Sequence, residues 1–484
     1  MSSLKIKPVL KVIGVLLMIE GLFMATAIPF SIHFGGIDLI SIAVSSFITF
    51  AAGLIIWFLI RKYDQRDIGR REGYLIVSLI WVIMSAFGAL PFYLSGYISN
   101  FTNAYFETIS GFTTTGASIL TDIEALPKGL LYWRSLTHWI GGMGIIVLSI
   151  AILPFLGFGG QQMFWAEVPG PDKEKLHPRI SVTARRLWGI YGFLTFLMII
   201  LLMLGHMSFY EALCHSFVAV SSGGFSPKNN SIAGYSPYIQ YVVIVFMFLA
   251  GTNFSLFYIA SKGNFKKAFS GVEFRVYGLL IMLASLFIAG ILIVKSGYGI
   301  EQAFRSSLFE VTSTVTCTGY ATDDYMLWPQ YAWFIVFLLM FSGGMAGSTA
   351  GGIKIIRHIL LFKNVAMAFN KHRHPMAVLN VRVDGKTQGE RIIHNVLGIF
   401  VLYIITFAIG SLILTATGLN IPTSMGSVVS CMGGIGPGLY STGPVGNYAH
   451  LNDIAKWTLS FLMLLGRLEL FSLYILFMAS FWKK

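Results

Sequence analysis

Long apolar runs, each closed by a short polar or basic segment, recur from one end of the chain to the other. About 20 apolar residues cross a hydrocarbon core of roughly 30 Å as a helix. The first run follows Lys5, Lys7 and Lys11 and continues to about Ile32, past the A-T-A of residues 25–27 that resembles a signal-peptidase site. A second run, 37–60, follows directly, so the pattern predicts a retained helical hairpin and not a cleaved leader. Four further spans are predicted at about 75–97, 183–206, 276–296 and 392–418. Each is followed by a short segment of about a dozen residues, too short to cross as a helix. A glycine, a polar loop and a second long span complete each unit.

The units align on those glycines. A-Y-F-E-T-I-S-G-F-T-T-T-G-A (104–117) matches S-L-F-E-V-T-S-T-V-T-C-T-G-Y (307–320), with F-E at the same distance before the glycine. A-L-C-H-S-F-V-A-V-S-S-G-G-F (212–225) fits the same frame, and S-M-G-S-V-V-S-C-M-G-G-I-G-P (424–437) fits more loosely. The aligned glycines are Gly116, Gly224, Gly319 and Gly436. The second spans align as well, on W-I-G-G-M-G-I, F-L-A-G-T-N-F, F-S-G-G-M-A-G and L-L-G-R-L-E-L. The expected fold is an all-α polytopic membrane protein, with four span–pore-helix–loop–span repeats around a pseudo-fourfold pore. Its expected segments are the N-terminal hairpin (1–72) and repeats at 73–160, 161–268, 269–375 and 376–484.

Composition agrees with a membrane protein: 55% of residues are hydrophobic, 11% charged, and the mean hydropathy is +0.73. The segments 1–11, 61–72, 157–190, 261–275, 354–391 and 483–484 hold 27 of the 34 Lys and Arg but nine of the 21 acids. The positive-inside rule puts all six in the cytoplasm, together with both termini. Most of the net charge of +13 is orientation. It also makes an inner face able to dock an acidic partner or anionic lipid, and nucleic acid is not an expected partner. Cys214, Cys317 and Cys431 are scattered, which argues against a disulfide framework or a metal site. His372 and His374 flank Arg373 in a basic loop and read as solvated. No clustered acid–base set or nucleophile motif points to an enzyme.

Irregular backbone at membrane depth survives only when buried in protein or lining a watery path. Four re-entrant loops around one axis would do the latter, with carbonyls replacing a cation's hydration shell. The candidate filter is Thr113, Thr114, Thr115 and Gly116; Ser221, Ser222, Gly223 and Gly224; Thr316, Cys317, Thr318 and Gly319; and Gly433, Gly434, Ile435 and Gly436. Candidate gate residues are Gly343, Gly344, Gly347, Gly351 and Gly352, whose stretch is a poor helix and a plausible hinge. A tight helix crossing through the same small residues competes with that reading. The stretch fails as a phosphate loop, because Ile353 stands where lysine is needed. Arg467 is an intramembrane basic residue and so a functional candidate, with a structural ion pair as the competing reading. Glu20 reads as a helix-packing acid near an interface.

T-T-T-G-A, S-S-G-G-F, T-C-T-G-Y and G-I-G-P-G carry a resemblance to the Trk/Ktr/HKT superfamily of potassium transporters, and within it to TrkH-like subunits. The likeness covers essentially the whole chain. It implies a channel-like potassium translocation subunit of a bacterial inner membrane, with a symporter coupled to protons or sodium as the alternative. Gly116, where serine favours sodium in this superfamily, implies potassium as the permeant ion, with rubidium tolerated. The resemblance makes 343–352 the intramembrane loop that blocks the path, and places Arg467 below the filter. It also implies a homodimer above a cytosolic TrkA-like ring, with NAD(H) and ATP on that partner and not on this chain.

Overall fold

The computed structural model describes residues 4–61, 69–142, 144, 180–377 and 379–482. Among them, six helices are long and apolar enough to cross a membrane, or up to eight if two bent pairs each count as one. Ile6–His33 and Leu39–Ile60 form the N-terminal hairpin. They pack antiparallel through small residues. A Cβ added at Gly53 would lie 2.5 Å from Gly14 O, and one added at Gly21 would lie 2.9 Å from Ser46 O. The Ser46 hydroxyl donates to Gly21 O (2.7 Å) in the same seam.

The first spans of the four repeats are Arg71–Leu94, Arg185–Leu204, Val272–Ser296 and Glu390–Ala416, each within about five residues of the stretch read from hydropathy. Each packs against the short helix that follows it: Phe101–Phe112, Phe209–Val220, Ile300–Val315 and Ile421–Gly433. Local chemistry starts these short helices where they do. Asn100, Ser208 and Asn420 accept N-terminal N–H bonds from Thr102, Glu211 and Thr423, satisfying donors that have no intrahelical partner.

The second spans of repeats 2 and 4 bend where continuous helices were expected, and that of repeat 3 is interrupted at its glycine stretch, as the sequence predicts. Pro237–Ala250 and Phe254–Ser261 meet at 96°, and Asp453–Arg467 and Leu470–Phe477 at 113°. Gln330–Leu339 gives way to non-helical chain before Ile355–Arg373. Each break has a local cause. Asn253 restarts its helix by accepting from Ser255 N–H (2.8 Å). Glu469 adopts φ +55°. Five glycines interrupt residues 343–352. Lys128–Gly142 is the described part of the second span of repeat 1, and its continuation lies outside the described residues. So do residues 62–68, most of the basic segment 157–190, and Lys483 and Lys484.

In three of the four repeats the second helix also packs on the short helix of the next: Lys128–Gly142 on Phe209–Val220, Pro237–Ala250 on Ile300–Val315, and Asp453–Arg467 on Phe101–Phe112. The last contact joins repeat 4 to repeat 1, so the repeats close in a circle.

The hairpin seam gives a direct stability test. Gly53→Leu forces a side chain into the backbone of the facing helix and should cost about 1–3 kcal/mol. Gly192→Ala meets nothing within 4 Å and should gain up to about 1 kcal/mol from helix propensity. Thermal unfolding of purified protein in detergent reads both.

Candidate functional site

The four short helices end in the same backbone motif. Thr114, Ser222 and Cys317 each have φ +55°, and Gly434 has φ +70°. In repeat 1, Thr114 N–H donates to Gly111 O (3.0 Å) and Thr115 N–H to Ser110 O (2.9 Å). The pairs Ser222–Ala219 and Gly223–Val218 repeat this in repeat 2, and Cys317–Thr314 and Thr318–Ser313 in repeat 3. These are Schellman caps, which satisfy carbonyls at the end of a helix. In repeat 4, Ile435 N–H donates to Ser430 O (2.9 Å), so Gly434 stands where Thr114 stands and Gly436 where Gly116 stands. The loosely matching fourth loop therefore keeps the register of the other three, despite Ile435 and Pro437.

Beyond the caps the loops meet backbone to backbone. A Cβ on Gly116 would lie 2.7 Å from Gly224 N, and one on Gly224 would lie 2.9 Å from Thr318 O. One on Gly319 would overlap Ile435 O, and one on Gly436 would lie 2.8 Å from Thr115 O. The four aligned glycines thus form a closed ring in repeat order. Gly116, Gly319 and Gly436 also have positive φ, at +82°, +77° and +100°. Gly224 does not, so the requirement there is space and not backbone angle. The threonine hydroxyls turn away from the ring: Thr113 bonds Thr115 (2.8 Å), and Thr316 bonds Thr318 (2.7 Å).

A second set of contacts clasps the loops just past the ring. Arg134 donates to Ser226 O (3.0 Å), joining repeats 1 and 2. Ile232 N–H donates to Ala321 O (3.2 Å), joining repeats 2 and 3. The Tyr325 hydroxyl donates to Gly438 O (2.5 Å), joining repeats 3 and 4. Tyr448 N–H donates to Ser118 O (2.8 Å), which returns to repeat 1, and its hydroxyl holds Gly436 O (2.8 Å). Further out, Lys228 bridges Glu211 (3.2 Å) and Glu124 (3.7 Å), and the hydrogen bond it donates to Glu211 holds its ammonium above the ordinary lysine range.

The F-E glutamates are more than alignment markers. Glu107 accepts from Ile119 N–H and the Ser118 hydroxyl (both 2.9 Å), and pairs with Arg134 at 2.7 Å in a fully buried bridge. Glu310 accepts from Thr322 N–H (3.0 Å). The equivalent positions hold His215, against the Tyr320 hydroxyl (3.2 Å), and Ser427, against the Thr442 hydroxyl (2.9 Å). Glu107, Glu310 and Ser427 at this repeat position thus tie their short helices to the chain beyond their own loops, whereas His215 ties its helix to Tyr320 of the next repeat. The recurring F-E could have signalled this role. Arg134 was overlooked. It and Lys456 are buried basic residues within helices, whereas Arg467 is half-buried.

On the helix side of the ring, residues 341–354 lie against the loops of repeats 2, 3 and 4, and Arg467 links them to the loop of repeat 1. The chain folds on itself through Gly343 N–H to Ile353 O (2.9 Å) and Ile355 N–H to Gly344 O (3.2 Å). Glu273, also missed from sequence, anchors both limbs by accepting from Ala346 N–H (2.8 Å) and Ile356 N–H (3.2 Å). Met345 N–H reaches Gly251 O (2.9 Å), and Gly347 O receives Phe254 N–H (3.1 Å), both at the break of the repeat 2 helix. The Thr349 hydroxyl meets that of Ser222 (2.8 Å), and the Cys317 thiol lies 4.0 Å from Ser342 O. Gly351 abuts Gly433 O. Arg467 completes the set, donating to Thr114 Oγ1 (3.3 Å), Thr349 O (3.0 Å), and the carbonyls of Gly141 and Gly142. The structure thus brings all four candidate filter segments together, with the five gate glycines and Arg467 directly beneath them. Glu469 pairs elsewhere, with Arg357 (2.6 Å).

The sequence profile described as TrkH, cation transport protein, matches residues 39–484. The Trk system potassium uptake protein TrkH of Escherichia coli (strain K12) is 38% identical over 447 residues, covering 90% of this chain and 91% of that protein. The Trk system potassium uptake protein TrkG of the same strain is 35% identical over 490 residues and covers 100% of both. The crystal structure of the potassium transporter TrkH from Vibrio parahaemolyticus superposes with a TM-score of 0.89 at 33% identity, over 99% of this chain and 100% of that one.

The two ion-pair classes predict different costs. Arg134→Met leaves the Glu107 carboxylate buried without its charge partner and should cost about 3–5 kcal/mol. Lys228→Ala removes a partly exposed pair and should cost less than about 1 kcal/mol. Thermal unfolding in detergent compares the two, and equal costs would remove the Glu107–Arg134 bridge from its supporting role.

Proposed function

This chain belongs to the TrkH family of cation transport proteins, multi-pass membrane transporters and not enzymes, and from that premise we propose that it takes up potassium through the ring of four loops. The observation that carries this reading is the closed contact of Gly116, Gly224, Gly319 and Gly436 with the backbone of the next loop. The caps consume N–H groups, so the ring presents carbonyl oxygens to whatever occupies its axis, as a potassium filter does. The segments Thr113–Gly116, Ser221–Gly224, Thr316–Gly319 and Gly433–Gly436 form that filter, which takes potassium and tolerates rubidium.

The gate is residues 343–352 together with Arg467. In the closed state the loop lies across the path and the guanidinium opposes cation passage. The chain works as a homodimer on a cytosolic TrkA-like ring that carries NAD(H) and ATP, with both of its termini in the cytoplasm. Support for such docking comes from the helix Ile355–Arg373, which continues directly from the crossing loop and exposes Lys363, Lys371 and Arg373. Partner binding there retracts the loop. Symport coupled to protons or sodium is the competing mechanism, and reversal potentials measured against pH and sodium gradients separate the two.

Rubidium uptake into liposomes, with sodium as competitor, tests the filter. Gly116→Ser puts a side chain against Gly224 and should reduce the preference for potassium over sodium about tenfold, or about 1.4 kcal/mol. An unchanged ratio in a folded variant removes Gly116 from the filter.

The same assay tests the gate. A hydrogen bond to a charged group contributes about 1.5–3 kcal/mol, so losing one should shift a closed–open balance about tenfold or more. Arg467→Ala, and separately deletion of Met345 to Thr349, should therefore raise flux without a partner while leaving potassium preference intact. Low flux in a folded deletion would sink the gate assignment, and lost selectivity would mean that loop and filter are one element.

A further inference from the structure

The N-terminal hairpin holds a carboxyl that neither ring nor crossing loop uses. Glu20 is 0% exposed, and neither of its oxygens has a hydrogen-bond partner among the described residues. It packs on Gly88 of the first span of repeat 1. A Cβ there would lie 3.0 Å from Glu20 Oε1, and 2.8 Å from both Thr108 Cγ2 and Phe112 Cε2. Glu20, Thr108 and Phe112 thus converge on one glycine, and Phe112 immediately precedes the filter segment that begins at Thr113. Gly88 O is itself held by the Trp133 indole (2.9 Å), whose ring packs edge-on to Phe112.

Three more buried polar groups without partners share the face of the helix that carries Gly88: Ser78 Oγ, Trp81 Nε1 and Ser85 Oγ. Their spacing of three and four residues, with Gly88 three further on, makes a single stripe. Arg467 stands 5.7 Å over the Trp81 ring. Buried polar groups are normally satisfied by protein or by ordered water, and this row has no protein partner among the described residues.

The surroundings offer Glu20 no counter-charge. Leu39–Ile60 has no ionisable side chain. On Arg70–Gly88, Glu72 and Tyr74 lie at the far end, and Glu72 accepts from Lys5 N–H (3.1 Å). On Phe101–Phe112, Glu107 is committed to Arg134, and Tyr105 stacks on Trp457. On Lys128–Gly142, Lys128 stands over the Tyr210 ring, Tyr132 meets the Thr26 hydroxyl, and His138 packs against Phe225. On its own helix, Lys11 donates to Arg61 O (3.2 Å). An unpaired ionised carboxylate is strongly disfavoured in such a place.

We propose that Glu20 is a proton-binding site, occupied in the working state, and that the Ser78–Trp81–Ser85 stripe is the hydrated route by which the proton arrives. Loss of that proton places a charge against Phe112, which shifts to admit water and loosens the first filter loop from behind. Glu20 is a positioning residue. It lies off the ion path and acts through Phe112. The transport half of this inference rests on the proposed function, whereas proton occupancy is read independently of it.

Infrared difference spectra of wild type against Glu20→Gln, on purified protein in lipid, should show a protonated-carboxyl C=O band at neutral pH. The band should shift in D2O, vanish at alkaline pH and be missing from the variant. In liposomes, the potassium preference of wild type should fall several-fold from mildly acidic to alkaline pH. Glu20→Gln should hold the acidic-pH value throughout, and Glu20→Met serves as a second uncharged variant if the first folds poorly. A neutral-pH spectrum without that band, or the same pH profile in wild type and both variants, overturns the proposal. If wild type moves no rubidium at any pH, the transport reading fails, and the infrared band alone decides the proton site.

Discussion

Everything in this protein serves one steric constraint: four loops must approach so closely that the α-carbon of one lies against the backbone of the next. There is no room for a Cβ at Gly116, Gly319 or Gly436. A side chain can change rotamer to absorb an error of half an ångström, but a backbone contact cannot. The loops are therefore fixed from both ends. Schellman caps fix where each leaves its helix, Glu107, Glu310 and Ser427 fix where three of them depart on the far side, and His215 braces the second against Tyr320 of the third repeat. Polar backbone inside a membrane needs partners. Here the caps occupy loop N–H groups, and the clasps occupy loop carbonyls further along, such as Ser118 O and Gly438 O.

The caps also store strain. Thr114, Ser222 and Cys317 occupy the left-handed region, which costs an L-residue roughly 1–2 kcal/mol. Glycine would avoid that cost, as Gly434 does. The side chains at these positions have their own task, because they hang beneath the ring and meet the crossing loop or Arg467. Ring and loop are thus read by the same residues, one through the backbone and the other through the side chain.

Much of this was legible in the sequence. Hydropathy gave the limits of the first spans, and the spacing of single glycines gave the fourfold frame, because a steric requirement repeated four times leaves a repeated residue. The glycine-rich break in the second helix of repeat 3 was legible, but those of repeats 2 and 4 were not. Asn253 and Glu469 act through local capping and a single left-handed φ inside otherwise apolar stretches. Nor was the order of the clasps, since Tyr325 and Tyr448 lie outside the aligned units and reach across repeats. Alignment also treated Gly224 as equal to the others, although only its packing, and not its φ, demands glycine. Glu20 looked like a packing acid because its isolation is a property of the neighbouring helices and not of its own.

The second helices of repeats 2, 3 and 4 all break at the level of the crossing loop, and there they are stitched together by Met345, Gly347 and Arg467. The molecule is consequently divided by depth as well as by repeat. On one side lies a stiff hoop closed by hydrogen bonds, and on the other are helix halves joined to it by short non-helical joints. Bending is most compliant where helical hydrogen bonds are missing. Stress applied to the lower halves is therefore absorbed at these joints, and the protein behaves like a machine with a flexible coupling, in which the lever can be moved without deforming the gauge.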